Sequence, residues 1–406
     1  MSRRKRREGQ PNFFLTPLGI VFTTVVIDLI GFGIVVPILP LWAEDLGASP
    51  TIVGVLTAVY SLMQFIFAPV LGRLSDKFGR RPVILASLLG TAVSSLLIGL
   101  ANSVLLLFIA RILNGISGAS YSTAQAYVAD ITTPQTRARG MGLIGAAFGI
   151  GFVIGPAFGA LFALIDHRVP FFAAALLALA NLLIAWKRLP EPERKRAPLT
   201  SRRVLMARAF RDPALAPLIL ITFLGTAAFS GMETTFALFG ERRFDFGLAE
   251  AGAVFAFVGL AAAIVQGKAL GPLVDRHGER TIMMTGLLLT GVALALLAVT
   301  TRLWALFPVA ALLSASGLVF APITALVSKA SPDADQGGSL GVLASSSGLA
   351  RVIGPLAAGA LFDWHVPAPY LVGAGLFAAC LVIALFWSRA VVDAPGQATP
   401  SRAGGT

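Results

Sequence analysis

Apolar and polar positions fall along this chain in long blocks, not in the short alternations of a soluble fold. Runs of about 20 apolar residues, enough for a helix to cross the hydrocarbon core of a bilayer, are separated by short polar clusters. Four stretches, 82–110, 140–165, 303–328 and 366–388, contain no Asp, Glu, Lys or Arg. The pattern predicts twelve membrane-spanning helices, at 16–41, 50–71, 82–101, 104–129, 140–164, 170–187, 214–239, 248–269, 281–300, 303–327, 338–362 and 367–388. The stretch from Lys187 to Asp212 is polar and basic, with Pro190, Pro192 and Pro198. It predicts a linker over 188–213 between two six-helix halves, 16–187 and 214–388, with short tails at 1–15 and 389–406.

The halves repeat at an offset of about 200 residues, as duplicated units do. Pro17, Gly31, Asp45 and Gly47 match Pro217, Gly231, Asp245 and Gly247. Gly72, Asp76, Gly79 and Arg80 match Gly271, Asp275, Gly278 and, one step off, Arg280. Val153-Ile154-Gly155-Pro156 recurs as Val352-Ile353-Gly354-Pro355. A duplicated membrane protein can place one site at the interface of its halves and open it to either side by rocking; the two-fold repeat also disfavours a channel.

Charge supports the same picture. Only 13% of residues are charged and 56% are hydrophobic, against roughly 25% charged in a soluble domain. A net charge of +12 invites a nucleic-acid reading, but the basic residues cluster between alternate spans. Twenty-six of them, from Arg3 through Arg73, Arg137, Arg194 and Lys268 to Arg402, fall on one side. Arg168, Arg242, Arg243 and Arg302 fall on the other. The positive-inside rule then puts both termini in the cytoplasm. The start, Arg3 to Arg7 followed by an apolar run, has the outline of a secretory signal, but the run is too long, contains Asp28 and is followed by many more spans. One cysteine, Cys380, forms no intramolecular disulfide and no thiolate metal cluster. No cofactor and no metal are expected, and a monomer is.

The segment GRLSDKFGRRP, Gly72 to Pro82, joins the second and third spans. Its glycines permit a tight turn, Asp76 can cap or pair near a helix end, and Arg80 and Arg81 anchor it to the inner surface. An ordinary basic loop is the plainer alternative. The segment resembles the signature cytoplasmic loop of the major facilitator superfamily, with GPLVDRHGER, Gly271 to Arg280, as a weaker copy. The resemblance implies the major facilitator fold, an all-α membrane protein of twelve helices in two halves. It also implies a conformational latch at Gly72, Asp76, Gly79, Arg80 and Asp275.

The first half resembles the drug:proton antiporters, and most closely their tetracycline-efflux branch. The likeness is carried by DLIGFGIVVPILP (Asp28 to Pro40), RILNGISGAS (Arg111 to Ser120), GIGFVIGPAFG (Gly149 to Gly159), YSLMQFIFAP and FFAAALLALAN. It covers nearly all of 16–190 and is weaker in the second half. Gly151, Gly155 and Gly159 share one helical face, with Gly149 to one side. Small residues at this spacing let helices approach closely and Pro156 can bend the helix. Plain packing explains that stripe, and so does a hinge and seal between the halves. In the family this motif marks antiporters, which implies export. The chain departs from tetracycline pumps at Ser94, where they carry an acid. It also departs in the eighth and ninth spans, where they carry acidic and histidine groups. These departures point to a broader drug exporter.

Four ionisable residues stand well inside spans, where charge costs several kcal/mol and function is the default reading. At 1.5 Å per residue, Asp28 lies about 18 Å and Arg351 about 20 Å from the cytoplasmic side, Arg111 about 10 Å from the outer start of its span, and Glu233 about 28 Å from the cytoplasmic side. Asp28 is the leading proton carrier because burial disfavours the charged carboxylate; Glu233 is the second. Arg111 and Arg351 keep their protons and are the expected charge partners. The fourth span carries a polar or small stripe, Arg111, Asn114, Gly118, Ser122 and Gln125, facing something other than lipid. With Tyr60, Gln64, Phe229 and Phe236 it suggests an aromatic-walled pocket for small amphipathic ligands; side-chain packing explains each residue singly.

Proton-coupled efflux of small hydrophobic or amphipathic drugs across a bacterial inner membrane is the expected function, with the bilayer, protons and a small-molecule substrate as partners. Transport of a polar metabolite such as a sugar or organic acid is the alternative, but the last six spans are poor in the polar groups it needs. An enzyme or ATP-driven pump is not indicated: Gly267-Lys268 lacks the rest of a phosphate loop.

Overall fold

A computed structural model describes residues 13, 16–119, 121–193, 209–332 and 335–392. Most of the expected tails and of the linker, with Pro198, lie outside the described residues, as does Ser120 of the fourth span. The described residues form helices and turns, with no strand among them. The first half contains α1 (Pro17–Asp45), α2 (Pro50–Phe78), α3 (Arg80–Gly99), α4 (Val104–Gly118), α5 (Tyr121–Ile131), α6 (Pro134–Ala163) and α7 (Val169–Arg188). The second contains α8 (Ala216–Phe244), α9 (Leu248–Ile264), α10 (Leu270–Val299), α11 (Leu303–Leu313), α12 (Gly317–Ala330), α13 (Gln336–Trp364) and α14 (Ala368–Val392).

Local chemistry sets the helix ends. Proline stands in the first turn of α1, α2 and α6, where its missing N–H would have no helical partner anyway. Thr16 and Ser49 cap α1 and α2, their side chains accepting from Gly19 N and Ile52 N at 3.1 and 3.4 Å. Thr133 and Thr136 form a capping box at α6. Large side chains such as Leu105, Leu164, Phe386 and Trp364 are exposed, while Thr91, Ser94, Arg111 and Glu233 are buried. A molecule whose outer solvent is lipid has this inverted arrangement.

Among the described residues, eleven helical stretches are long and apolar enough to cross a membrane. One of them, Leu248–Val299, has 52 residues and would extend ~78 Å if straight, more than twice a ~30 Å hydrocarbon core. It is broken at Gly278, whose φ of 78° and ψ of 154° are not helical. Dividing it there gives the eighth and ninth of twelve spans. A π-helical turn at Val265–Ala269 lies within the helix before that break. The expected fourth and tenth spans are each two helices. In the fourth, α4 ends at Gly118, whose carbonyl accepts from Gln64 Nε2 at 3.2 Å, and α5 begins at Tyr121. In the tenth, a 3-10 turn at Ser314–Ser316 joins the two without leaving helical geometry. Hydrophobic periodicity does not see these breaks because both halves of each span remain apolar.

The Gly72–Pro82 segment corrects the sequence reading. Gly72 and Asp76 belong to α2, which continues to Phe78, and the whole turn is made by Gly79 at φ 116°. A side chain there would meet both the unfavourable φ and the Glu191 carboxylate, 2.7 Å from an added Cβ.

Within the first half α1 packs on α6, and within the second α8 packs on α13, its counterpart. The halves meet through α2 with α13 and α6 with α9, and the two seams repeat each other. An added Cβ on Gly54 of α2 would lie 3.3 Å from Gly359 Cα, against the Pro355 carbonyl. An added Cβ on Gly252 of α9 would lie 2.8 Å from Ala160 Cβ and 3.1 Å from Pro156 O. The glycine on each outer helix thus lets a proline-bearing helix of the other half come close. The Gly151/Gly155/Gly159 stripe is a different surface: it faces Leu29, Gly33 and Ile38 of α1. That corrects the expected seal between halves. The stripe fixes α1 to α6 inside one half, and the seal uses the other side of α6. Gly149 meets nothing within 4 Å.

Gly54→Val is expected to overpack the seam, costing about 1–3 kcal/mol and lowering the melting temperature of the purified protein. Gly142→Val, where nothing stands within 4 Å, should leave it within experimental error.

Candidate functional site

Between the halves lies a cavity of ≈ 490 Å³, large enough for a drug-sized molecule. Its walls include Asp28, Tyr60, Gln64, Arg111, Asn114 and Gln125 of the first half and Glu233 and Arg351 of the second. The rest of the polar stripe on α4 and α5, Gly118 and Ser122, lines it too. Those positions, predicted from five different spans, therefore converge on one space.

At the face opposite the linker the halves are tied together. Arg242 Nη2 meets Glu44 Oε1 at 2.7 Å, and Thr51 donates its N–H to Asp363 Oδ2 at 2.9 Å and its hydroxyl to the same oxygen. Each contact joins one half to the other. On the linker face the ion pairs of described residues, Arg80 with Asp76 and Asp130 and Lys329 with Glu279, stay within one half. The cavity walls follow suit: Leu39, Pro40 and Tyr60 toward the tied end are buried, whereas Tyr121, Gln125 and Ser345 toward the linker face are partly exposed. The structure is closed away from the linker and open toward it.

The charges are held without pairing. Asp28 Oδ1 accepts from the Thr91 hydroxyl at 3.0 Å. The Arg111 guanidinium lies 4.3 Å over the Tyr60 ring, within range of a cation–π attraction. Its Nε donates to Leu56 O at 3.4 Å and its buried Nη1 has no partner. Among the described residues no ion pair joins any two of Asp28, Arg111, Glu233 and Arg351. Arg111 and Arg351, the expected charge partners, line the same cavity as the two carboxylates. Arg351 and Glu233 of the second half face the same cavity as Arg111 and Tyr60 of the first.

Phe229 and Phe236 are not on the cavity wall, which corrects the expected pocket. Phe236 is 3% exposed and stacks edge-on against Phe255 at 5.2 Å. Phe229 packs on the apolar core. On a 3.6-residue helix both lie to the same side of Glu233, and the cavity lies on the other side, where Ser230 and Thr234 line it. The aromatic wall comes from elsewhere. Phe32 and Phe65 line the cavity, with Phe32 5.8 Å from the Tyr60 ring. Phe32 was findable, since it stands one turn beyond Asp28. Phe65 has no signal of its own beyond following Gln64. Ser94 is buried and accepts from Asn114 Nδ2 at 3.0 Å, so a neutral hydrogen bond occupies the position where an acid was expected from resemblance.

The candidate latch is a network at the linker face. Arg80 bonds Asp76 at 2.6 Å, Asp130 at 3.0 Å and Ser75 Oγ at 2.6 Å. Glu191 accepts from the backbone N–H groups of Arg80 and Arg81 at 2.6 and 3.0 Å, an anion on the start of a helix. Tyr127 donates to Pro190 O at 2.8 Å. Three helices and the start of the linker therefore meet on one arginine. The second copy is built differently. Asp275 is exposed, Arg280 lies 5.5 Å over the Trp387 ring, and Glu279 pairs with Lys329.

The sequence profile of the Major Facilitator Superfamily matches residues 21–270 and 267–405. The chain is 36% identical over 386 residues to "Tetracycline resistance protein, class C" of Escherichia coli, covering 91% of this chain and 97% of that one. It is 31% identical to "Multidrug resistance protein 1" of Bacillus subtilis, over 91% of this chain and 96% of that protein. The crystal structure of the human organic anion transporter MFSD10 (TETRAN) superposes with a TM-score of 0.69 at 29% identity, covering 92% of this chain and all of that one. The likeness thus extends through the second half, where sequence motifs alone are weak.

In a variant with Cys380 replaced by serine, cysteine placed at Gln125 is expected to react with a water-soluble maleimide at least about tenfold faster than cysteine at Leu39. Equal rates would contradict a cavity open to the linker face.

Proposed function

We propose that this chain, which belongs to the Major Facilitator Superfamily, exports small amphipathic compounds in exchange for protons. The observation that carries this reading is the cavity between the halves. It presents one carboxylate from each half, Asp28 and Glu233, in a wall otherwise made largely of apolar and aromatic groups. The names of the relatives, which describe tetracycline and multidrug resistance, support drug efflux over metabolite transport.

The linker face is the cytoplasmic one in this proposal, because the basic clusters fall there. Both termini are then inside, in a bacterial inner membrane. Substrate enters from the cytoplasm or inner leaflet and packs against Phe32, Tyr60 and Phe65. Its cationic part takes the place of a proton on Asp28 or Glu233. Low-dielectric surroundings disfavour two bare carboxylates, so each holds either a proton or a cationic partner. Substrate arrival thus releases the proton that drives the return step. Thr91 fixes the orientation of Asp28, while Arg111 and Arg351 keep their charge throughout and set the field. The Arg80 network holds α2, α3 and α5 as one body at the cytoplasmic surface, and the two seams part when the cavity opens outward.

Asp28→Asn is expected to retain ligand binding and to lose substrate-driven proton movement in proteoliposomes, while Asp28→Glu keeps part of it. Proton exchange at the wild-type rate in Asp28→Asn would make Asp28 structural and leave Glu233 as the carrier. Asp76→Asn should insert normally and slow turnover about tenfold, the cost of ~1.4 kcal/mol in one charge-assisted bond. Unchanged transport at matched expression would remove Asp76 from the latch.

A further inference from the structure

A second hollow lies on the outer wall of the first half, where α3 and α7 part. It has a volume of ≈ 400 Å³ and is lined by Leu85, Ala86, Leu89, Leu182, Leu183 and Trp186. The two helices are close at the other end, where an added Cβ on Gly99 would stand 2.7 Å from the Phe172 ring. Nearer the linker face a groove runs along their outer side, where Leu89, Leu183 and Trp186 are 51%, 48% and 59% exposed.

The mouth of the groove is basic. Helical spacing puts residues i and i+4 on one face, so Arg81 stands one turn before Leu85 on α3, and Lys187 one turn beyond Leu183 on α7. Arg81 Nη2 donates to Trp186 O at 2.5 Å, which pins the guanidinium against the rim, and its buried Nε has no partner. Lys187 and Arg188 are exposed. Glu191 is the nearby anion, and both its oxygens are engaged by the backbone N–H groups of Arg80 and Arg81. An apolar slot ending in cations, with an indole at the boundary, matches an amphiphile with an acyl chain and an anionic head.

We propose that this groove binds an anionic phospholipid, with an acyl chain along Leu85, Leu89 and Leu183 and the phosphate at Arg81 and Lys187. The site is separate from the central cavity. Because Arg81 follows Arg80 and the two share Glu191, a bound phosphate would brace the turn on which the latch is built.

The test uses the full chain with Trp186 as the sole tryptophan, the other four being replaced by phenylalanine. It is reconstituted in phosphatidylcholine vesicles that contain either dibrominated phosphatidylglycerol or dibrominated phosphatidylcholine at equal mole fraction. Bromine quenches indole fluorescence on contact. Quenching of Trp186 is expected to show a preference of about fivefold or more for phosphatidylglycerol, the worth of one basic residue at a membrane surface. Arg81→Gln and, separately, Lys187→Gln should each bring that preference down toward one. Equal quenching by the two lipids would overturn the proposal, as would an unchanged preference in Lys187→Gln, the variant least able to disturb the fold. Loss of the preference on adding inorganic phosphate at constant ionic strength would identify a bare anion site and overturn the lipid assignment.

Discussion

A charge held at the middle of a bilayer costs several kcal/mol unless protein or water satisfies it, and this chain keeps four such groups between its halves. Most of the architecture follows from accommodating them. Apolar faces turned to lipid leave the polar ones nowhere to go but inward. Asp28, Arg111, Glu233 and Arg351 are thereby brought to a common space from α1, α4, α8 and α13. That they meet there without neutralising one another is the main difference from a structural ion-pair cluster. Strong buried pairs would lock the halves together. Groups held by a hydroxyl and by an aromatic face stay available to a ligand or a proton.

The same economy shapes the seams. Gly54 against Pro355 and Gly359, and Gly252 against Pro156 and Ala160, are one contact made twice by the duplicated halves. Small residues give close backbone approach without side chains that must disengage when the halves move. Charged and hydroxyl contacts, Arg242 with Glu44 and Thr51 with Asp363, lie at the end of the seams away from the linker, where water can take over each partner when they separate. Apolar packing at depth and exchangeable polar contacts at the rim together make a joint that opens at modest cost.

Much of this was legible in the sequence because membrane burial leaves little ambiguity. Block hydropathy located the spans, and isolated charges inside them located the cavity. The polar stripe from Arg111 to Gln125 gave its wall. What failed did so for identifiable reasons. Phe229 and Phe236 share a helix with Glu233 but lie on the far side of it, and spacing alone does not say which flank faces the ligand. The glycine stripe of α6 was real, yet a close-packing pattern does not name its partner, and the partner is α1. The joining segment was read over Gly72–Pro82, but glycine at Gly72 is compatible with helix, which runs on to Phe78, and of the two glycines only Gly79 has the positive φ. The breaks in the fourth and tenth spans depend on tertiary support, such as Gln64 reaching Gly118 O, which no local pattern encodes.

The central claim is that ligand and proton compete for the carboxylates of one cavity. Proton release on ligand binding tests it without any transport step. Purified protein in lightly buffered detergent would be mixed with a cationic substrate, such as tetraphenylphosphonium, in the presence of a pH-sensitive dye. Binding to the wild-type protein is expected to acidify the medium, whereas the double variant Asp28→Asn, Glu233→Gln binds with no release. Saturable binding with no proton released by the wild-type protein at any pH between 5 and 8 would contradict it.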